Sequence, residues 1–358
     1  MRITVLGAGA GGTAMAFDCA SHGHDVRLFD FPDFPDNIAG IAASGRIEAE
    51  GDIEGSAKLV SAGHDIDEAL SDAELIYVVG PAFSTEPFGK AVAGKLRAGQ
   101  TVIVSPSSCG GALAFKRAAD LAVEDDSVRV AETSTLHYAV RLTRPGHIRV
   151  FLKLKSGNLL AALPGRHTDA LLAMIADVYP GMERADSVLQ TSLQNANPII
   201  HPAVTLANAA RIEGTGGDFL FYEEGVSDAT GRLIEALDKE RIAIGAALDI
   251  DVLSDPEMGM RQGYMLAANY GSGYREAPGF LGIGAQPQLD HRYLNEDVGY
   301  GLVFMSALGR QVGVATPNIN AMIRLTSVLM ARDYAGEALR TPASLGIGDL
   351  NAEGLKAL

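Results

Sequence analysis

The turn at residues 7–12 limits what this chain can fold into more than any other feature. Met1–Leu6 reads as a buried strand and runs directly into Gly7-Ala8-Gly9-Ala10-Gly11-Gly12, a G-x-G-x-x-G pattern. An apolar stretch from Thr13 to Ala20 follows, then a second strand pattern, Asp25-Val26-Arg27-Leu28-Phe29, that ends on Asp30. Strand, turn, helix, strand and acid in that order describe a dinucleotide-binding βαβ unit. Gly7 permits the tight turn, Gly9 lets backbone approach a pyrophosphate, and Gly12 lets helix and strand pack closely, with Gly11 beside it. The helix N-terminus turns unpaired N–H groups and a positive dipole end toward the phosphates. Asp30 lies about twenty residues past the turn, where a carboxylate takes both ribose hydroxyls of NAD.

The loop after Asp30 bears on which dinucleotide is taken. A 2′-phosphate calls for a nearby arginine. Here Phe31-Pro32-Asp33 and then Asp36 follow, so three carboxylates repel such a phosphate. NAD is therefore expected, with NADP disfavoured. Arg46 is the one base further along that could fold back.

A chain of 358 residues is long for one core, so two domains are expected. Its 47% hydrophobic content is far from a disordered composition. The net charge of −15 argues against nucleic acid or an anionic membrane as partner. Two cysteines, Cys19 and Cys109, make no disulfide framework, and Cys19 reads as a small core residue of the first helix. No charged and apolar leader precedes the first strand, and no apolar run is long enough to cross a bilayer. The cytoplasm is the expected compartment.

Strand and helix patterns alternate through the first half. Ala73–Val79 reads as a buried strand closed by Gly80-Pro81, with a helix over 86–96. A strand over 100–104 ends in Ser105-Pro106-Ser107-Ser108-Cys109-Gly110-Gly111, followed by a helix over 111–121 and a strand over 128–131. Such alternation calls for a parallel sheet with right-handed crossovers. Ligands bind beyond the C-terminal strand ends of such a sheet, so Pro81 and the 105–110 turn are expected to border the cofactor. His137–Leu154, interrupted by Thr143-Arg144-Pro145-Gly146, reads as a hairpin extending that sheet. Helical periods take over after about residue 187, as in 233–247 and 318–331. The expected architecture is an α/β Rossmann domain over 1–185 and a mostly α-helical domain over 186–358.

Two segments of the second half carry polar groups in apolar surroundings. One is Thr191-Ser192-Leu193-Gln194-Asn195-Ala196-Asn197-Pro198-Ile199-Ile200-His201-Pro202, whose two prolines should break or kink a helix. The other, His291–Val303, is dense in ionisable residues. On spacing alone the structural reading is the stronger one. His201 is then a capping or core histidine, and Glu296-Asp297 an acidic first turn favoured by the helix dipole.

The chain as a whole resembles the opine dehydrogenases of the octopine/nopaline type, and is similar to the bacterial N-(1-carboxyethyl)-norvaline dehydrogenases. The resemblance rests on Gly7–Gly12, Glu132-Thr133-Ser134, Arg144-Pro145-Gly146, Thr191–Asn195 with Asn197 and His201-Pro202, and Asn208-Ala209-Ala210-Arg211. It continues in Arg292-Tyr293, Glu296-Asp297-Val298, Gly301-Leu302-Val303 and Thr316-Pro317. It implies NAD(P)H-dependent reductive condensation of a 2-oxo acid, often pyruvate, with the amino group of an amino acid. It also implies roles: His201 as general acid/base, Asp297 as its orienting partner, and Arg292 as the fork for a substrate carboxylate. Asn195 and Asn197 are expected to hold the carbonyl or the nicotinamide amide, and no metal is expected. Glycerol-3-phosphate and ketopantoate dehydrogenases share the N-terminal pattern but resemble a scheme built on a hinge lysine, and 195–211 contains none. A non-catalytic NAD-binding sensor is the alternative of a different class. The amino acid is not legible: Met258–Met265, Tyr270 and Tyr274 read equally as walls of its pocket and as core. A homodimer through the helical domain fits the sequence without being required by it.

Overall fold

The computed structural model describes the whole chain, residues 1–358. It divides into two compact units, residues 1–107 with 111–191 and residues 108–110 with 192–358. The chain passes from one to the other inside the helix Val188–Gln194, a few residues after the expected 185/186. A helix running through the crossing leaves no turn signal there to read.

The first unit is built on an eight-stranded sheet. Its strands are β1 (Arg2–Leu6), β2 (Asp25–Phe29), β5 (Ser61–Gly63), β6 (Leu75–Val78), β7 (Thr101–Val104), β8 (Arg129–Thr133), β11 (Asn158–Leu163) and β12 (Met182–Arg184). Their order is β12-β11-β8-β7-β6-β1-β2-β5. All neighbours are parallel except β8 and β11. Strands β6 and β7 are buried at every position, as the unbroken apolar runs require when both faces of a parallel sheet are covered. The strand order reverses between β1 and β6, so the crevice beyond their C-terminal ends is the ligand position of a doubly wound sheet.

The hairpin does not extend this sheet, and here the sequence reading is corrected. Strands β9 (Tyr138–Arg144) and β10 (His147–Lys153) pair antiparallel, as expected, but β10 then pairs in parallel with β3 (Arg46–Gly51). With β4 (Gly55–Lys58) they form a separate sheet, β4-β3-β10-β9. Strands β3 and β4 escape the sequence reading because they are short and largely exposed, with little apolar alternation. Their buried positions Ile47 and Ala57 join Val140, Ile148 and Val150 in the core that also holds the first helix, α1 (Ala10–Ser21). Helix α1 is buried from Gly12 through Cys19, so its sequence is mostly small and apolar, and its one carboxylate, Asp18, is met by Lys153 and the Tyr138 hydroxyl.

His137, just before β9, lies in this core at 2% exposure. Its ring packs against Tyr179 at 4.0 Å, tilted by 39°, and neither ring nitrogen has a hydrogen-bond partner. Burial, aided by the nearby Lys153 ammonium, pushes its pKa down to about 3. The native state therefore refuses a proton that the unfolded chain takes up near pH 6.5. Stability from this group is intact above about pH 6.5 and falls as the pH drops toward 3, a loss of about 2 kcal/mol by pH 5. His137→Phe should flatten the acid limb of thermal unfolding temperature against pH. Equal acid limbs in the two proteins would contradict this.

The second unit contains no strand, only an isolated bridge between Leu220 and Gly284. Its longest helices are Asp228–Ala247 and Pro317–Leu329. The helix Val188–Gln194 stops before Pro198 and a new one, Asn197–Ala207, starts there, so the expected break is found at Pro198, whereas Pro202 is carried inside a helix without breaking it. Pro198 lies in the first turn, where no N–H is needed, and Pro202 sits inside the helix. Residues 198–205 are all buried, so packing outweighs the local cost of Pro202.

Candidate active site

The glycine turn meets the geometric demands of a pyrophosphate cradle. Gly7 has a φ of 111°, and a Cβ there would strike the Val79 carbonyl after β6. A Cβ on Gly12 would strike the Gly7 carbonyl, whereas one on Gly9 would meet nothing within 4 Å. Gly7 and Gly12 thus close the turn on itself, and Gly9 presents bare backbone at the start of α1, with no side chain capping the helix. Gly11 packs against Leu136, where a Cβ would come to 2.9 Å. Pro81 opens a short helical turn after β6, and its carbonyl accepts from the Ser84 N–H.

Asp30 is 8% exposed, at the end of β2. Its Oδ2 accepts from the Ala8 N–H at 2.7 Å and its Oδ1 from the Phe31 N–H at 2.8 Å. Burial raises its pKa, and these two bonds pull it back. Each oxygen keeps a second acceptor position for a ribose hydroxyl. Arg46 does not fold back: its Nε donates to Ser56 Oγ at 2.7 Å, across β3 and β4. The residues fit a dinucleotide without a 2′-phosphate.

In the helical unit, His201 and Asp297 come together across ninety-six positions of sequence. His201 Nδ1 lies 2.8 Å from Asp297 Oδ2, and both side chains are over nine-tenths buried. Asp297 begins a π-helix, Asp297–Leu302, a wide turn of the kind found at functional sites. A Cβ on Gly301 would collide with the Pro198 ring, so glycine on one element and proline on the other let the π-helix back onto the histidine helix. Asp297 thus stands in the acidic first turn of this helix, as the structural reading has it, and its carboxylate also meets His201.

The other ring nitrogen, His201 Nε2, lies 3.1 Å from the Tyr222 hydroxyl. Burial raises the Tyr222 phenol well above 10, so it remains a neutral donor. With Nδ1–H donating to Asp297, Nε2 presents its lone pair to Tyr222. Tyr293 stacks flat on the imidazole at 3.9 Å and 21°. Tyr222 has no motif or spacing to mark it, and Tyr293 is marked only as part of the Arg292-Tyr293 motif, without its stacking role.

Arg292 and Glu296 are one turn apart, with Arg292 Nε donating to Glu296 Oε2 at 2.9 Å. Glu296 Oε1 also accepts from Ser108 Oγ at 3.2 Å. The Arg292 side chain is 47% exposed and its Nη edge is not used by Glu296. Burial disfavours its charge, but Glu296 and Asp297 raise its pKa above the usual value. Asn195 Oδ1 accepts from the Asn197 N–H at 3.1 Å and turns the chain into the helix. Asn197 then lies four residues before His201, on the same helix face. Tyr270 and Tyr274 donate to Asp238 and Asp255, which assigns both hydroxyls to structural partners rather than to a pocket wall.

Residues 184–330 match the family of NAD/NADP octopine/nopaline dehydrogenase alpha-helical domains. An opine dehydrogenase of Arthrobacter sp. is 36% identical over 356 residues, covering 99% of this chain and 97% of its own. The chain belongs to the opine dehydrogenases. It is an NAD-dependent oxidoreductase. A vitopine synthase of Allorhizobium ampelinum is 26% identical over 80% of this opine dehydrogenase and 78% of its own length. A solved octopine dehydrogenase with NADH and L-arginine shares the fold, with a TM-score of 0.79 at 19% identity over 100% of this chain and 98% of that one. A yersinopine dehydrogenase with NADP+ does so at 0.71 and 16% identity over 99% of this chain and 98% of that one. Residues 2–108, the dinucleotide-binding part, match the N-terminus of NAD-dependent glycerol-3-phosphate dehydrogenases.

Proposed function

We propose that this opine dehydrogenase joins a 2-oxo acid, pyruvate first among them, to the amino group of an amino acid. An imine forms and is reduced to an N-(carboxyalkyl) amino acid. One observation carries the reading: His201, fixed through Nδ1 by Asp297, has its other nitrogen on a neutral phenol rather than on a structural ion pair. Bound NADH supplies the hydride that reduces the imine carbon. His201 supplies and removes protons at the carbinolamine oxygen and the imine nitrogen, and Asp297 stabilises the imidazolium that appears between them. Arg292 offers the Nη edge left free by Glu296 to a substrate carboxylate. Asn195 and Asn197 orient a carbonyl or the nicotinamide amide. Gly7, Gly9, Gly11, Gly12, Asp30 and Pro81 hold the dinucleotide. The net charge of −15 favours small metabolites over nucleic acid or anionic membrane as partners. The cytoplasm is the proposed compartment, and a homodimer the proposed assembly.

Mass analysis of the product formed from NADH, pyruvate and an amino acid tests the reading. The expected product has the summed mass of oxo acid and amino acid, less water, plus two hydrogens. Lactate alone would instead identify a plain 2-oxo-acid reductase. Arg292→Ala should raise KM for the oxo acid by roughly ten- to a hundredfold, the effect of one charge-assisted pair, with a smaller change in kcat. An unchanged KM would remove Arg292 from carboxylate binding.

A further inference from the structure

The Arg144-Pro145-Gly146 turn has no part in the chemistry proposed above, and it belongs to a sheet that dinucleotide binding does not require. Its position is nonetheless fixed against the glycine turn by one side chain. Asn37 lies on the second helix, α2 (Pro35–Ser44), which follows the Asp30 loop. Its Oδ1 accepts from the Gly146 N–H at 2.8 Å. Its Nδ2 donates to the Ala8 carbonyl and, at 2.9 Å, to Thr13 Oγ1 on α1. The peptide units around Ala8 are therefore gripped on both sides, the N–H by Asp30 and the C=O by Asn37. The hairpin is seated closely enough to hold this arrangement. A Cβ on Gly40 of α2 would come to 2.6 Å from Pro145 Cβ, and Gly146 has a φ of 73°.

We propose that Asn37 is a positioning residue for the cofactor, and that the Pro145-Gly146 turn sets its orientation. The second sheet thereby presets the glycine turn for the pyrophosphate. An amide suits this position, since it donates to a carbonyl and accepts from an N–H at once. Without it, the Ala8 carbonyl and the Gly146 N–H lose their common partner, and the turn samples conformations that do not bind. Affinity then falls with the fraction of molecules in the competent conformation. The proposal rests on the reading that residues 7–12 hold the dinucleotide.

Fluorescence titration of the full-length protein with NADH and with ADP-ribose tests it. Asn37→Ala should weaken both ligands by about tenfold, the effect of one net hydrogen bond, because both carry the pyrophosphate. At saturating NADH, kcat and the oxo-acid KM should stay near wild type, a split that general loss of folding would not produce. Gly40→Ala leaves Asn37 intact but pushes the hairpin away, and it should weaken both ligands in the same direction. It decides the matter if Asn37→Ala does not fold. Unchanged affinities in a folded variant, or NADH weakened while ADP-ribose is not, would overturn the proposal. Failure of the wild-type protein to bind either ligand would instead overturn the reading of the glycine turn.

Discussion

Replacing His201 with alanine is expected to lower kcat by roughly two to four powers of ten, the usual contribution of a positioned general acid or base. The expectation follows from the ring's surroundings. Its position is set by the Asp297 bond at one nitrogen, by the Tyr222 hydroxyl at the other, and by Tyr293 stacked on its face. A histidine so restrained loses little entropy on reaching a reactive geometry, and alanine supplies no substitute proton donor. NADH affinity should be unchanged, because Asp30 and the glycine turn lie in the other unit. A fall in kcat of less than about threefold, with NADH binding intact, would remove His201 from the mechanism.

Asp297→Asn should lower kcat by about two to three powers of ten while leaving the geometry largely in place, since an amide can occupy the space of the carboxylate. Two losses combine. The imidazolium formed during proton transfer no longer has a negative charge 2.8 Å from Nδ1. An amide that turns its NH2 toward Nδ1 would also force the proton onto Nε2, reversing the donor role that Tyr222 plays. The readouts are kcat, NADH affinity and the pH dependence of kcat in the two proteins. A matched fall in thermal stability with unchanged kcat would show Asp297 to be structural only.

The cofactor half of this account is local in the sequence, and that is why it was legible. Gly7, Gly12 and Asp30 lie within one βαβ unit, so the steric and hydrogen-bonding demands on each are set by a single short stretch of sequence. The catalytic half is not local. His201 and Asp297 are brought together by a proline fitted against a glycine, Pro198 on Gly301. No periodicity announces such a contact, so the pairing entered only through resemblance to a family. Tyr222 has no signal of its own, because an aromatic residue in an apolar helical region reads as core, and Tyr293 stands in the family motif with nothing local to show that it stacks on His201. The second sheet was missed for a related reason. Its β3 and β4 strands become recognisable only once β10 lies beside them, and pairing between residues 48 and 147 is invisible to any local window. Pro198 marks the helix boundary that local propensity forecasts, whereas at Pro202 burial keeps a helix where propensity forecasts a break.

NADH oxidation followed by absorbance shows whether reduction joins two substrates. The wild-type protein would be given pyruvate alone, each of a panel of amino acids alone, and each pair together. Oxidation that appears only when both partners are present is the predicted result, and it names the amino acid in the same experiment. Equal rates with pyruvate alone, or oxidation that ignores the amine, would contradict the proposed condensation.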